Sequence, residues 1–259
     1  WRPQGLVSVG IGSRFLRGAD VMVTEGVVGE DLFEITDRAI HALQEWAPHL
    51  LLVVYYVADS AGHLYGPEAP ETLAAIEAID GMAARLLVAY AEKGFLDSTV
   101  VTVLADHGMM QVEQVAPKDW GANVGALTHG RVALIPQRLS DEQLNALRAD
   151  PLVETIYGRT ELERLRAWGP SWGEHVVLLK EGCMFKGDRP MRGYHGAWSP
   201  VEQRIPLILS GAGIRAGSRL ESCEIIDIAP TLSTLLGGDV PAQSEGRVLW
   251  EALDTEKPR

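Results

Sequence analysis

Two apolar stretches constrain the fold most. Residues 50–57, Leu-Leu-Leu-Val-Val-Tyr-Tyr-Val, are β-rich without alternation, and residues 100–104, Val-Val-Thr-Val-Leu, have the same character. A short run of this kind reads as a strand covered on both faces. Between them Pro70 opens a helical segment to about Glu92, with Gly94 placed to end it. Strand, helix, strand is a βαβ unit, and such a crossover imposes parallel strands with a right-handed connection. Residues 32–47 add an amphipathic helix, with Leu32, Ile35, Ala39, Ala42, Leu43 and Trp46 at helical spacing and Pro48 as its stop. An α/β fold follows.

Residues 109–194 differ in texture. Short strands at 132–135 and 176–179 and short helices at 140–149 and 160–165 read as an inserted α+β lobe. Residues 205–209 return to core-strand character. Residues 227–236 form a final helix with Asp227 as N-cap and Gly237 beyond its end. The expected organisation is an α/β core of residues 1–108 and 195–259 carrying a lobe of residues 109–194 on the substrate side.

Charge narrows the partners. With 23 Lys and Arg against 35 Asp and Glu, the 259-residue chain carries −12 and repels nucleic acid and anionic membranes unless a local positive centre, such as metal ions, reverses the field. No nucleic-acid partner is expected. The longest apolar run, residues 50–58, falls far short of the roughly 20 residues of a membrane span. Cys183 and Cys223 are too few for a disulfide scaffold.

Acids stand where the chemistry of an open α/β sheet is found. Asp59 follows the first apolar stretch, and Asp106 with His107 follows the second. Ligands of such sheets bind outside the carboxyl ends of the strands. His63 comes four residues after Asp59, in a segment that Gly62, Gly66 and Pro67 mark as a shaped loop, not a helix. A carboxylate and an imidazole reaching one point suit a borderline cation such as zinc. Gly193-Tyr194-His195-Gly196 sets a third histidine between glycines that allow a ligand close to the backbone.

Singly, each of these residues is more often a loop cap or a hydrogen-bonded core histidine; their joint placement is the signal. His41, His49, His129 and His175 lack acids at ligand spacing and read as non-ligands. Residues 211–216 fit a loose dinucleotide fingerprint, but Gly217 and Ser218 stand where its helix should begin. Residues 169–173 fit a nucleophile elbow in the wrong strand-and-helix order. Ser60, beside the ligand candidates, reads as loop-shaping rather than nucleophilic.

In this order, the Asp59 to Pro67 segment, Ala105-Asp106-His107-Gly108-Met109, Gly193 to Gly196 and Asp227-Ile228-Ala229-Pro230-Thr231 resemble the alkaline phosphatase superfamily, most closely its type I phosphodiesterase and nucleotide pyrophosphatase branch. The resemblance covers essentially the whole chain after about residue 30. It implies a mostly parallel central sheet with helices on both faces, two divalent ions of zinc type (manganese or iron being the alternatives), and a covalent phospho-enzyme. Carried over by residue, Asp59, His63 and His195 would hold one ion, and Asp106 and His107 part of the shell of the other. Two close cations clamp a phosphoryl group and stabilise attacking and leaving oxygens. The implied substrate is a small anionic phosphate ester, a phosphoric diester or nucleotide pyrophosphate.

The chain departs from the family pattern upstream of Asp59. The family places a metal-binding Asp at the end of a first strand, then a Thr or Ser nucleophile at a helix N-terminus; here Ser8, Ser13 and Thr24 follow no such strand, and the sequence opens at Trp1. The expectation is the C-terminal part of a longer enzyme whose nucleophile lies outside it. Such a piece would self-associate through an exposed sheet edge. Phosphonoacetate hydrolase, sulfatase and phosphomutase chemistry of the same superfamily are the alternatives, as is an inactive truncated metal-binding module.

Overall fold

The structure, a computed structural model, describes residues 7–11, 19–23, 31–169, 171–187 and 189–254. Trp1, Ser13, Thr24 and Pro170, all used above, lie outside the described residues. In chain order the elements begin with β1 (Ser8–Ile11), β2 (Val21–Val23), α1 (Leu32–Trp46), β3 (Leu50–Val53), α2 (Val57–Tyr65), α3 (Pro70–Glu92) and β4 (Val100–Leu104). Next come β5 (Met110–Gln111), β6 (Gln114–Ala116), β7 (Leu127–His129), β8 (Val132–Ile135), α4 (Asp141–Arg148), β9 (Val153–Gly158), α5 (Arg159–Arg164) and β10 (His175–Leu179). The chain continues through β11 (Cys183–Phe185), β12 (Gly193–Tyr194), α6 (Pro200–Gln203), β13 (Leu207–Gly211) and α7 (Ile228–Leu235).

The chain divides into two compact units. One comprises Trp1–Tyr55, Ala78–Leu104 and Pro206–Arg259, the other Tyr56–Glu77 and Ala105–Ile205.

In the first unit β1 pairs in parallel with both β2 and β3. Helix α1 covers this sheet. The Asp31 carboxylate accepts from Phe33 N at 2.9 Å and Glu34 N at 3.1 Å, capping donors the helix cannot satisfy itself. The buried residues Ile35, Ala39 and Ala42 of α1 then meet Val9 and Ile11. Strand β4 pairs antiparallel with β13, and among the described residues no ladder joins β4 to β3. The βαβ reading therefore does not extend to hydrogen-bonded neighbours. A crossover rule governs strands that share a sheet, not which of them lie side by side.

The two apolar stretches are also not covered on both faces. Leu50 and Leu52 on β3, Val103 and Leu104 on β4, and Ile208 on β13 are exposed. Apolarity states what a residue could bury, whereas coverage needs an opposing element that the run itself does not encode. The stretch at 50–57 is also split, since only Leu50–Val53 is strand and Val57 begins a helix.

The second unit is built on an antiparallel sheet in the order β7-β8-β10-β9. Its core joins Ala133, Ile135, Val153, Val177 and Leu179 to Leu147 of α4 and to Phe185. Helix α4 starts at a capping box, with Ser140 Oγ accepting from Gln143 N at 3.2 Å and Gln143 Oε1 from Ser140 N at 3.0 Å. Two small pairs, β6 with β11 and β5 with β12, complete the unit. All the ligand candidates named above fall in this second unit.

Asp227 is structural, though not as expected. Its carboxylate makes no cap bond to α7; it accepts from Glu224 N at 2.9 Å and Arg247 N at 2.8 Å.

Candidate metal centre

Asp59 and His63 sit on helix α2, not on a shaped loop. The acid occupies the first turn, where the helix dipole favours a carboxylate, the histidine occupies the last, and the four-residue step places both on one face. Gly66, with φ +106°, ends the helix. Gly62 answers a packing need instead of a loop: a Cβ there would stand 2.5 Å from Met109 Sδ. A Cβ at Gly193 would in turn strike the carbonyl oxygen of Gly62. Gly193 thus lets β12 meet the helix backbone, while Gly62 leaves room for Met109.

That approach delivers His195 to His63. His63 Nδ1 donates to the carbonyl of Gly193 at 2.9 Å, and Arg192 N donates to the carbonyl of His63 at 2.7 Å. A carbonyl only accepts, so Nδ1 of His63 carries a proton and its Nε2 atom is the one that faces inward. His107 repeats the pattern, donating from Nδ1 to the Gly108 carbonyl at 2.9 Å.

The inward atoms converge. His63 Nε2 lies 3.2 Å from His195 Nε2 and 3.5 Å from Asp59 Oδ1, and His195 Nε2 lies 3.3 Å from Asp59 Oδ1. A tetrahedral zinc with bonds of about 2.0–2.1 Å separates its ligand atoms by about 3.3 Å. His107 Nε2 stands 3.9 Å from the same carboxylate oxygen, and Asp59, His107 and His195 all offer ligand atoms within 4.8 Å of one another. The rings of His107 and His195 stack at 3.4 Å and 12°. Asp106 is the outlier: its side chain is 84% exposed, with Oδ1 3.6 Å from His107 Nε2. The structure thus brings His107 to Asp59 and His195 as well as to Asp106.

Asp59 Oδ1 is buried, and among the described residues no donor meets it with hydrogen-bond geometry. A buried carboxylate oxygen without a partner is costly, and a cation is the partner that the surrounding imidazole lone pairs would share. The donor set and the spacing both fit a divalent metal of zinc type. Burial by itself pushes the Asp59 carboxyl up. His195 at hydrogen-bonding distance and the charges available to His63, His195 and His107 outweigh that, and hold it below the usual carboxylate range.

Tyr194 and His129 were not singled out by their surroundings in sequence. The Tyr194 ring lies 5.3 Å from that of His63 and 5.8 Å from that of His195, and its hydroxyl is 3.3 Å from His129 Nε2. Burial, then the charge of Asp59, raises its phenol above the usual value. Gly130, with φ +57°, leaves room for the ring, since a Cβ there would overlap it. Only the place of Tyr194 between a glycine and a histidine hinted at this.

Comparison with known proteins bears on the fold and the family. Alkaline phosphatase PhoK of a Sphingomonas species is 25% identical over 251 residues, covering 74% of this chain and 44% of its own length. The chain spans under half the length of the curated relatives it matches. Murine ectonucleotide pyrophosphatase/phosphodiesterase 5 superposes with a TM-score of 0.80 at 20% identity, over 93% of this chain and 70% of that one. An inactive form of the murine protein in complex with AMP gives 0.79 at 20% identity with the same coverage. The fold is accordingly alkaline phosphatase-like. The family model for type I phosphodiesterase / nucleotide pyrophosphatase matches residues 19–159, more than half of the chain, and the chain belongs to that family.

Proposed function

We propose that this chain supplies the metal-binding part of a hydrolase of phosphoric diesters or nucleotide pyrophosphates. The carrying observation is the convergence of Asp59 Oδ1, His63 Nε2 and His195 Nε2 at 3.2–3.5 Å, the carboxylate oxygen having no hydrogen-bond donor among the described residues. In this reading they hold one zinc-type ion. His107 and Asp106 would hold part of the shell of a second. Such ions, when bound, neutralise phosphoryl charge and lower the barrier to in-line attack on phosphorus.

The chain's residues do the rest. The carbonyls of Gly193 and Gly108 hold the protons of His63 and His107 on Nδ1 and so keep both Nε2 atoms free to ligate. Asp59, ionised because its carboxyl is held low, supplies negative charge between the imidazoles. The hydroxyl nucleophile of the phospho-enzyme belongs, in this reading, to residues outside the chain. A small phosphate ester suits the site better than nucleic acid, since the protein's −12 charge opposes a polyanion away from the ions. The AMP complex of the murine relative makes esters of nucleoside monophosphates the first substrates to assay.

The test is hydrolysis of bis(4-nitrophenyl) phosphate by the full-length protein. Activity should vanish in chelator and return with zinc. Undiminished hydrolysis after exhaustive metal removal would overturn the proposal. Parallel assays on a phosphomonoester, a phosphonate and a sulfate ester separate it from the alternative chemistries of the superfamily.

A further inference from the structure

Arg131 and Glu202 form an enclosed ion pair in the second unit, with side chains 1% and 0% exposed. Each guanidinium nitrogen is engaged. Nε and Nη2 donate to the carbonyl of Leu179 at 3.1 and 2.8 Å, Nη2 also to Glu154 Oε2 at 2.8 Å, and Nη1 to Glu202 Oε2. Burying two opposite charges loses their hydration, and an apolar pair of similar volume commonly stabilises a fold as well or better. Stability alone is therefore a weak reason for this pair.

What Glu202 touches gives a better one. Its Oε1 accepts from Ala197 N at 3.1 Å, its Oε2 from Ser199 Oγ at 2.6 Å, and its main-chain carbonyl from Gly108 N at 2.7 Å. Ala197 stands two residues after His195, and Gly108 directly follows His107. The carbonyl of Ala197 is held too, by Gln203 Nε2 at 2.8 Å. Gly108 lies so close to this turn that a Cβ on it would strike the carbonyl of Val201. One glutamate thus grips both histidine-bearing segments, and Arg131 fastens it to the ends of β8 and β10.

We propose that the Arg131–Glu202 pair positions the metal ligands: it sets the spacing of His107 and His195 and thereby the affinity for zinc. The inference rests on the metal-site reading given under Proposed function. Neither residue touches the metal or the substrate; both act through the two histidines.

Three variants of the full chain test it: Glu202→Gln, the double change Arg131→Met with Glu202→Leu, and Ser199→Ala, which removes one tie and leaves the ion pair whole. Zinc affinity is read by competition with a chromogenic chelator, and folding by circular dichroism melting in the absence of zinc. Glu202→Gln should remain folded and bind zinc about ten- to a hundred-fold more weakly, the usual effect of removing support behind a ligand. The double variant should stay folded, melting somewhat lower because Ala197 N loses its acceptor and the Leu179 carbonyl its Arg131 donors, and should bind zinc weakly for the same reason. Should neither charge variant fold, Ser199→Ala decides, with a several-fold loss of affinity expected. Parent-like zinc affinity in any folded variant overturns the positioning role while leaving the metal site standing. A parent that binds no zinc overturns both.

Discussion

Replacing Gly193 by alanine tests the backbone contact on which the centre depends. The new Cβ would press on the carbonyl oxygen of Gly62 and lie 2.7 Å from Met109 Sδ. Ordinary carbon contacts begin near 3.5 Å, so α2 and β12 must part by on the order of 1 Å. Overpacking of this kind costs about 1–3 kcal/mol. With a urea dependence of about 2 kcal/mol per molar, the unfolding midpoint should fall by roughly 0.5–1.5 M. The same displacement would stretch the 3.2 Å separation of the His63 and His195 Nε2 atoms and disturb the bond from His63 Nδ1 to the Gly193 carbonyl. Zinc affinity should therefore drop about tenfold or more.

The control is Gly62→Ala. Its Cβ meets only the end of the Met109 side chain, Sδ at 2.5 Å and Cε at 3.0 Å. A methionine tip can swing aside, and alanine gains up to about 1 kcal/mol over glycine within a helix. The net change should be small. A Gly193→Ala protein with the parent's midpoint and zinc affinity, or a Gly62→Ala protein more damaged than it, would refute the steric argument.

Two further outcomes are expected. Because the Asp59 carboxyl is held below its usual range, its contribution to stability is present above the unfolded value and lost as pH falls through the lower folded one. The urea midpoint of the parent in chelator should thus exceed that of Asp59→Asn near neutrality and converge on it in acid; a gap that persists at low pH contradicts the depressed carboxyl. Burial pushes the Cys183 thiol up, while Cys223 is partly exposed. Ellman's reagent should label one thiol quickly in the native protein and the second only on unfolding, with peptide mapping placing the fast label on Cys223; prompt labelling of Cys183 contradicts its burial.

Some of this was legible beforehand. The pattern of residues 32–47 and the Pro70 start gave α1 and α3 to within a residue or two, because helical spacing and caps are local properties. The candidate residues Asp59, His63, Asp106, His107 and His195 stand after apolar stretches or between glycines, and the structure brings the first, second, fourth and fifth close together with Asp106 at their edge. Their setting was not legible. Gly62 and Gly66 looked like loop markers, yet Gly62 lies inside a helix where the space is needed for Met109. Apolar runs looked doubly covered, yet Leu50, Leu52 and Val103 are exposed.

By itself, the sequence determined that residues 32–46 and 70–92 coil, that residues 100–104 extend, and which acids and imidazoles are candidates to bind a cation. These follow from side-chain periodicity, caps and the chemistry of single groups. Tertiary structure alone decided that His107 stacks on His195 beside Asp59, that the helix of residues 57–65 presents its acid and histidine together, and that Arg131 meets Glu202 across 71 residues of chain. The reason is physical: a ligand's reach is a few ångströms, and separation along a chain carries no information about distance until packing has closed it.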